Sequence, residues 1–147
     1  MERDTKAVIF NAIGIIATLF ILVSGPIFTP TVLYVLIQLF GILLIVWALI
    51  AIKVNKQHRN RHPLPPGYFF IDKGPFEIIR HPIYAGFLLI IFSIVEIEFT
   101  FLRLVALLIL CAAIMMKIIR EEYTMAEKIH EYKEYKKKTK AIIPYLL

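Results

Sequence analysis

Two short stretches of this 147-residue chain carry residue types able to do chemistry. One is GPFEIIRHPIYAG, residues 74–86, where Arg80, His81 and Tyr84 stand at the start of an apolar run. The other is Arg120, Glu121 and Glu122 at the end of the last apolar run, with Lys117 one helical turn earlier. Brought together, they would give a pocket of acidic, basic, aromatic and histidine groups over an apolar floor. That mixture suits a charged cofactor acting on a lipid-soluble substrate. Each part alone has a plainer reading: His81-Pro82 as an interfacial turn, Glu121-Glu122 as a solvated helix end, Phe76 and Tyr84 as interface aromatics. Neighbouring helical residues point about 100° apart, so only one of Glu121 and Glu122 can readily face a given ligand.

The elements that must position these groups are apolar helices. Hydrophobic residues make up 59% of the chain and mean hydropathy is +0.74, a membrane-protein composition far from that of a soluble globular domain. Residues 7–28 and 31–52 are uncharged runs long enough to cross about 30 Å of hydrocarbon as helices, separated by Gly25, Pro26 and Pro30. Asn11 and Gln38 are their internal polar groups. Two shorter spans follow at 83–101 and 102–119, with Pro82 suited to the first turn of the third. An unpaired carboxylate at the bilayer centre costs about 3 kcal/mol on the mildest scales, so the turn holding Glu96, Glu98 and Arg103 belongs at an interface, where either carboxylate could pair with the arginine. The expected fold class is all-α: a polytopic membrane helix bundle of four transmembrane helices in two hairpins, plus an amphipathic C-terminal helix, forming a single domain over 1–147.

Charge sets the direction. Arg3 and Lys6 precede the first span; Lys53, Lys56, Arg59, Arg61, Lys73 and Arg80 occupy the 53–82 connection; and the chain from Lys117 to Lys140 is rich in lysine, while the far turns have only Arg103. The positive-inside rule then puts both termini, the connection and the 120–147 tail on the cytoplasmic face of a multi-pass membrane protein. The net charge of +6 belongs to that face and reads as topology and attraction to anionic lipid; no recognition motif points to nucleic acid. Met125, Ile129, Tyr132 and Tyr135 recur at helical spacing and form a stripe on a tail helix that would lie along the membrane or cap the protein, with Pro144 ending it. Cys111 is the single cysteine, so it forms no internal disulfide and fits no metal-ligand spacing; no metal is expected.

The stretch YFFIDKGPFEIIRHPIYAG, then REE at 120–122, EYKEY at 131–135 and IIP at 142–144, follow one another in a familiar order and near-familiar spacing. On these motifs the second half of the chain, 68–144, resembles the isoprenylcysteine carboxyl methyltransferases and their bacterial and archaeal relatives, integral membrane enzymes linked to the phospholipid N-methyltransferases. Departures are Ile129-His130 where the family usually has Phe-Gly, an interval one residue short before the tyrosine pair, and Ala141 in place of a basic residue. Lys117 stands where an arginine usually meets the substrate, which keeps the charge but loses the planar fork.

The resemblance implies an S-adenosylmethionine site formed by Phe70, Ile71, Phe76, Arg80, His81, Pro82, Ile83, Tyr84 and Glu121, with Lys117 toward the substrate. Glu121 could take the cofactor's ammonium or ribose hydroxyls, Arg80 or His81 its carboxylate, and Phe76 or Tyr84 the cationic sulfur. Methyl transfer to a carboxylate or thiolate needs no base; an amine acceptor must lose a proton, for which His81 and Glu122 are the candidate catalytic residues. The implied acceptor is lipophilic or embedded in the bilayer: a carboxylate such as an isoprenylcysteine, or a lipid amine. Membrane sterol-type reductases, which use NADPH, share RHP-x-Tyr and an Ile-Pro-Tyr like Ile143-Pro144-Tyr145, but the adjacent glutamates suit the methyltransferases. A small non-enzymatic scaffold or exporter is the third reading, with Glu96 and Glu98 its only candidate intramembrane carboxylates.

Overall fold

The structure, a computed structural model, describes residues 2–28, 31–57 and 71–143. Phe70 and Pro144 lie outside the described residues. The described chain is all-α, with helices α1 (Glu2–Val23), α2 (Val32–Gln57), α3 (Pro82–Ile97), α4 (Phe101–Lys128) and α5 (His130–Lys138), and a 3₁₀ turn at Gly74–Glu77. Helices α2 and α4 are long and apolar enough to cross a membrane; α1 and α3 contribute the shorter apolar stretches Val8–Val23 and Pro82–Ile97. Large apolar side chains remain exposed along the outside, among them Ile16 and Leu19 of α1, Leu36 and Leu43 of α2 and Leu108 of α4. So much outward apolar surface marks a body that meets lipid or a partner.

The chain order is two hairpins, but the tightest pairs lie across them: α2 packs chiefly on α3, and α1 on α4. Glycine explains both. A Cβ built at Gly14 would stand 3.6 Å from that of Ala113, in ordinary contact, so α1 and α4 pack closely there. A Cβ at Gly86 would lie 2.6 Å from the carbonyl oxygen of Gly41, and one at Gly41 would lie 2.7 Å from that of Gly86. The α2 and α3 backbones therefore touch, as small residues permit in membrane bundles. Gly86→Ala would force the two helices apart, since a backbone oxygen cannot swing aside as a side chain can. The expected loss is at the upper end of the about 1–3 kcal/mol typical of overpacking, read as a lower thermal midpoint in detergent.

At the far end of the bundle, Arg103 is 1% exposed. Its guanidinium does not rely on a glutamate carboxylate. It donates to the main-chain oxygens of Glu98 at 2.7 Å and Ile21 at 3.2 Å. The last carbonyls of a helix lack partners within it and carry partial negative charge, so the end of α1 supplies one of the two oxygens that meet the cation. Gln38, also buried, donates to the oxygen of Ile27 at 3.0 Å and ties the first turn to α2.

Helix α4 continues past residue 119 without a break to Lys128, which carries Glu121 and Glu122 beyond the apolar core built around Ile94, Leu110 and Ile118. The tail is not one helix. Ile129 is extended (φ −128°, ψ 111°), so α4 and α5 are separate and the expected stripe is divided between them. Burying Ile129, 2% exposed, is what the kink achieves. Helix α5 stops at Lys138, ahead of Pro144, because Thr139 turns extended and its hydroxyl bonds back to the oxygen of Tyr135 at 2.8 Å.

Candidate active site

The tail and the 74–86 motif are stitched together through their backbones. The amide of Arg80 donates to the oxygen of Lys140 at 2.7 Å, and that of His81 to Ala141 at 2.9 Å. Ile79 and Lys140 form an isolated parallel bridge. Pro82, buried at the first position of α3, needs no hydrogen-bond donor there. Gly74 opens the 3₁₀ turn with φ +68°, a conformation that suits glycine. That turn offers the oxygen of Phe76 to the Tyr135 hydroxyl at 2.6 Å, another link from α5 to the motif.

These links wall a cavity of about 790 Å³ between the start of α3, the end of α4, α5 and the facing surface of α1. Its lining includes Ile71, Phe76, Arg80, His81, Pro82, Ile83, Tyr84, Lys117 and Glu121. A second cavity of about 540 Å³, beside α2 and α3, is lined almost wholly by apolar side chains such as Leu88, Phe92 and Leu107. Only the first holds groups able to bind charge or move protons.

The two glutamates divide as helical geometry requires. Glu121 faces the cavity: Tyr84 donates its hydroxyl to Oε1 at 2.9 Å, His81 Nδ1 lies 3.8 Å from Oε2, and the side chain remains 43% exposed. Glu122 turns inward and is absent from the cavity wall. Its side chain is 5% exposed and meets Arg80 Nε at 2.6 Å, Lys136 Nζ at 2.8 Å and His81 Nε2 at 3.3 Å. Arg80 extends further to the main-chain oxygens of Lys136 and Thr139. The Tyr84 ring stacks with His81 at 5.6 Å between centroids and has the Lys117 ammonium 5.3 Å from its centre.

Burial pushes the Glu122 carboxyl up, but hydrogen bonds from His81, Arg80 and Lys136, with the Arg80 charge, outweigh it and hold it at about 2 against an ordinary 4.5. A carboxylate so held is a poor proton acceptor. Because the folded value is depressed, its contribution to docking the tail is complete above the ordinary value and is lost as pH falls toward the folded one. Limited proteolysis after Lys128 should therefore be flat from about pH 5 to 8 and rise only below about pH 4. Tyr132 and Tyr135 have phenols raised by burial first and by neighbouring charge or phenol second, so both stay neutral.

The model of the isoprenylcysteine carboxyl methyltransferase (ICMT) family matches residues 32–127. The chain belongs to that family. No curated protein and no solved structure matches it significantly. Members of the ICMT family are membrane methyltransferases, and the matched segment runs from α2 through nearly all of α4.

Of the ICMT-like residues singled out in the sequence, all that are described line the larger cavity except Glu122, which sits behind it. Motif reasoning did not reach Phe10 and Asn11 on α1 or Ile52 on α2, which also line it. No family signature covers α1, and the antiparallel α1–α4 contact is what brings Phe10 and Asn11 there. Met125, Tyr132 and Tyr135 are lining residues as well. Their helical spacing was a usable signal, though it pointed equally to a membrane-facing stripe.

Proposed function

We propose that this ICMT-family chain transfers a methyl group from S-adenosylmethionine to a lipophilic acceptor in the bilayer. The supporting observation is the single cavity that gathers Phe76, His81, Tyr84, Lys117 and Glu121 from three separate segments. Its volume falls within the roughly 300–1,000 Å³ usual for small-molecule and cofactor sites. The inward carboxylate of Glu121, the aromatic walls and the imidazole fit a molecule carrying an ammonium, ribose hydroxyls and a sulfonium. When bound, S-adenosylmethionine supplies an electrophilic methyl group on that sulfonium.

The chain's residues then act mainly by positioning and by excluding water. Glu121 receives the ammonium or the ribose hydroxyls, its orientation set by the Tyr84 hydroxyl. Tyr84 already carries His81 and Lys117 against its ring, which favours Phe76 as the aromatic face for the sulfonium. Ile71, Pro82 and Ile83 keep the wall dry. Glu122 and Arg80 serve as organisers, since each is engaged by the other and by the tail. A carboxylate acceptor requires no base; for an amine, His81 is the remaining candidate to take the proton.

The same reading includes four membrane spans at 7–28, 31–52, 83–101 and 102–119, with both termini, the 53–82 connection and the 120–147 tail cytoplasmic. The cofactor would reach the cavity from water and the acceptor from between the helices. Incubating the purified protein with methyl-labelled S-adenosylmethionine and a membrane lipid extract tests this. Label should enter the organic phase in wild type and fall at least roughly tenfold with Glu121→Gln at limiting cofactor; no incorporation into any lipid or prenylated fraction would count against the reading.

A further inference from the structure

Helix α3 borders both cavities. Pro82, Ile83 and Tyr84 line the larger one, while Ala85, Leu88 and Phe92, three or four residues apart, form a stripe along the smaller. On α2 the smaller cavity takes Phe40, Leu44 and Trp47 at the same helical spacing. Either stripe advances two turns, about 10 Å of helix, so this cavity of about 540 Å³ is a groove lying along the helix axes. Among the described residues the two cavities share no lining side chain, and a molecule in the groove meets none of His81, Tyr84, Lys117 or Glu121.

The groove's walls and ends define what fits it. Its lining is almost wholly apolar, so water finds no partners there, and an unfilled groove leaves the lining atoms without contacts on one side. A hydrocarbon chain meets both conditions. The groove is open to the lipid-facing surface, since Ile78, Phe92 and Ile143 on its wall remain exposed. One end is closed by the 3₁₀ turn, where a Cβ on Gly74 would stand 3.5 Å from Trp47 Nε1. An indole on the outside of a membrane protein marks the headgroup level. Lys73 and Lys140, both exposed, stand two residues ahead of the groove residues Pro75 and Ile142, and neither pairs with a carboxylate among the described residues. Asp72 and Glu77 are exposed beside the same turn, so this end suits a phosphodiester of low net charge better than a polyanion.

We propose that the groove is a resident-lipid site, holding one acyl chain of a bilayer phospholipid whose phosphate stands at Lys73 and Lys140. The site is separate from the methyl-transfer cavity, and its occupant is not the acceptor. Its effect falls on the tail. Ile79 and Ile142 line the groove and flank the backbone bonds from Arg80 to Lys140 and from His81 to Ala141. A chain packed against both isoleucines holds the tail on the 74–86 motif.

Trp47 is the chain's sole tryptophan, which makes the groove its own reporter. Phosphatidylcholine with brominated acyl chains is titrated into the delipidated full-length protein in detergent, and quenching of Trp47 emission is read. Wild type should show saturable quenching that levels at one lipid per chain, with slower proteolysis beyond Lys128 once lipid is bound. Ala85→Phe and Cys111→Phe fill the groove from α3 and from α4; each should weaken the lipid at least roughly tenfold and remove its effect on proteolysis. Quenching that rises in proportion to lipid without saturating, affinity unchanged in a filled variant with a wild-type thermal midpoint, or a tail indifferent to lipid would overturn the proposal. So would displacement of the lipid by N-acetyl-S-farnesylcysteine, which would make the groove part of the acceptor site, or dimerisation of the delipidated chain that lipid does not reverse, which would give it to a second copy. Should neither variant fold, the shape and stoichiometry of the wild-type titration decide. None of these readings involves S-adenosylmethionine, so failure of the methyltransferase reading would leave them intact.

Discussion

Glu122→Ala should detach the tail and abolish cofactor binding together. The carboxylate is the common acceptor for Arg80, Lys136 and His81 in a nearly dry setting, and removing one partner of a buried ionic network costs about 3–5 kcal/mol because the remaining charges lose their compensation. Arg80 would keep its bonds to the oxygens of Lys136 and Thr139, but as a buried cation with no anion. The cavity wall formed by Tyr132 and Tyr135 should open with the tail. Measured outcomes are rapid proteolysis beyond Lys128 and a fall of two or more powers of ten in S-adenosylhomocysteine affinity, in line with that cost. A catalytic base at this position would behave differently: turnover would fall while affinity and tail protection held.

Glu121→Gln should have the next largest effect, and a more local one. Glu121 stands at the cavity with one oxygen accepting from Tyr84 and the other 3.8 Å from His81 Nδ1. Helix α4 runs on for two turns beyond it, so the carboxylate meets no N-terminal dipole, and its side chain, 43% exposed, has His81 as its one charged neighbour within 4 Å among the described residues. Glutamine keeps its size and helix propensity while removing the charge from any bond to an ammonium or hydroxyl. The expected loss is roughly 1.5–3 kcal/mol, or one to two powers of ten in cofactor affinity. Thermal midpoint and tail proteolysis should stay at wild-type values, which separates this variant from Glu122→Ala.

Contrast between the two glutamates was legible in the sequence as a rule and illegible as an outcome. Adjacent helical residues diverge, so one had to face away; which one depended on a tail whose path no spacing revealed. The apolar run at Met125, Ile129, Tyr132 and Tyr135 has the same spacing whether or not the helix breaks at Ile129, since a one-residue kink hardly changes the count. Helix existence was readable because long uncharged runs have few alternatives in lipid. Their partners were not, because helices apolar on all sides carry no stripe to say which face packs. Gly41 and Gly86 make the α2–α3 contact, and only Gly86 lies in a motif. Likewise, Arg103 was expected to seek a carboxylate and instead uses carbonyl oxygens at the end of α1, a donor demand that the backbone creates and side-chain types do not display.

Calorimetric titration of S-adenosylhomocysteine into the purified wild-type protein, with NADPH as the rival ligand, tests the central claim most directly. Saturable one-to-one binding of S-adenosylhomocysteine, weakened at least tenfold by Glu121→Gln, with no heat from NADPH, is the predicted result. Binding of NADPH without S-adenosylhomocysteine, or equal S-adenosylhomocysteine affinity in wild type and Glu121→Gln at equal stability, would contradict a methyl-donor site in this cavity.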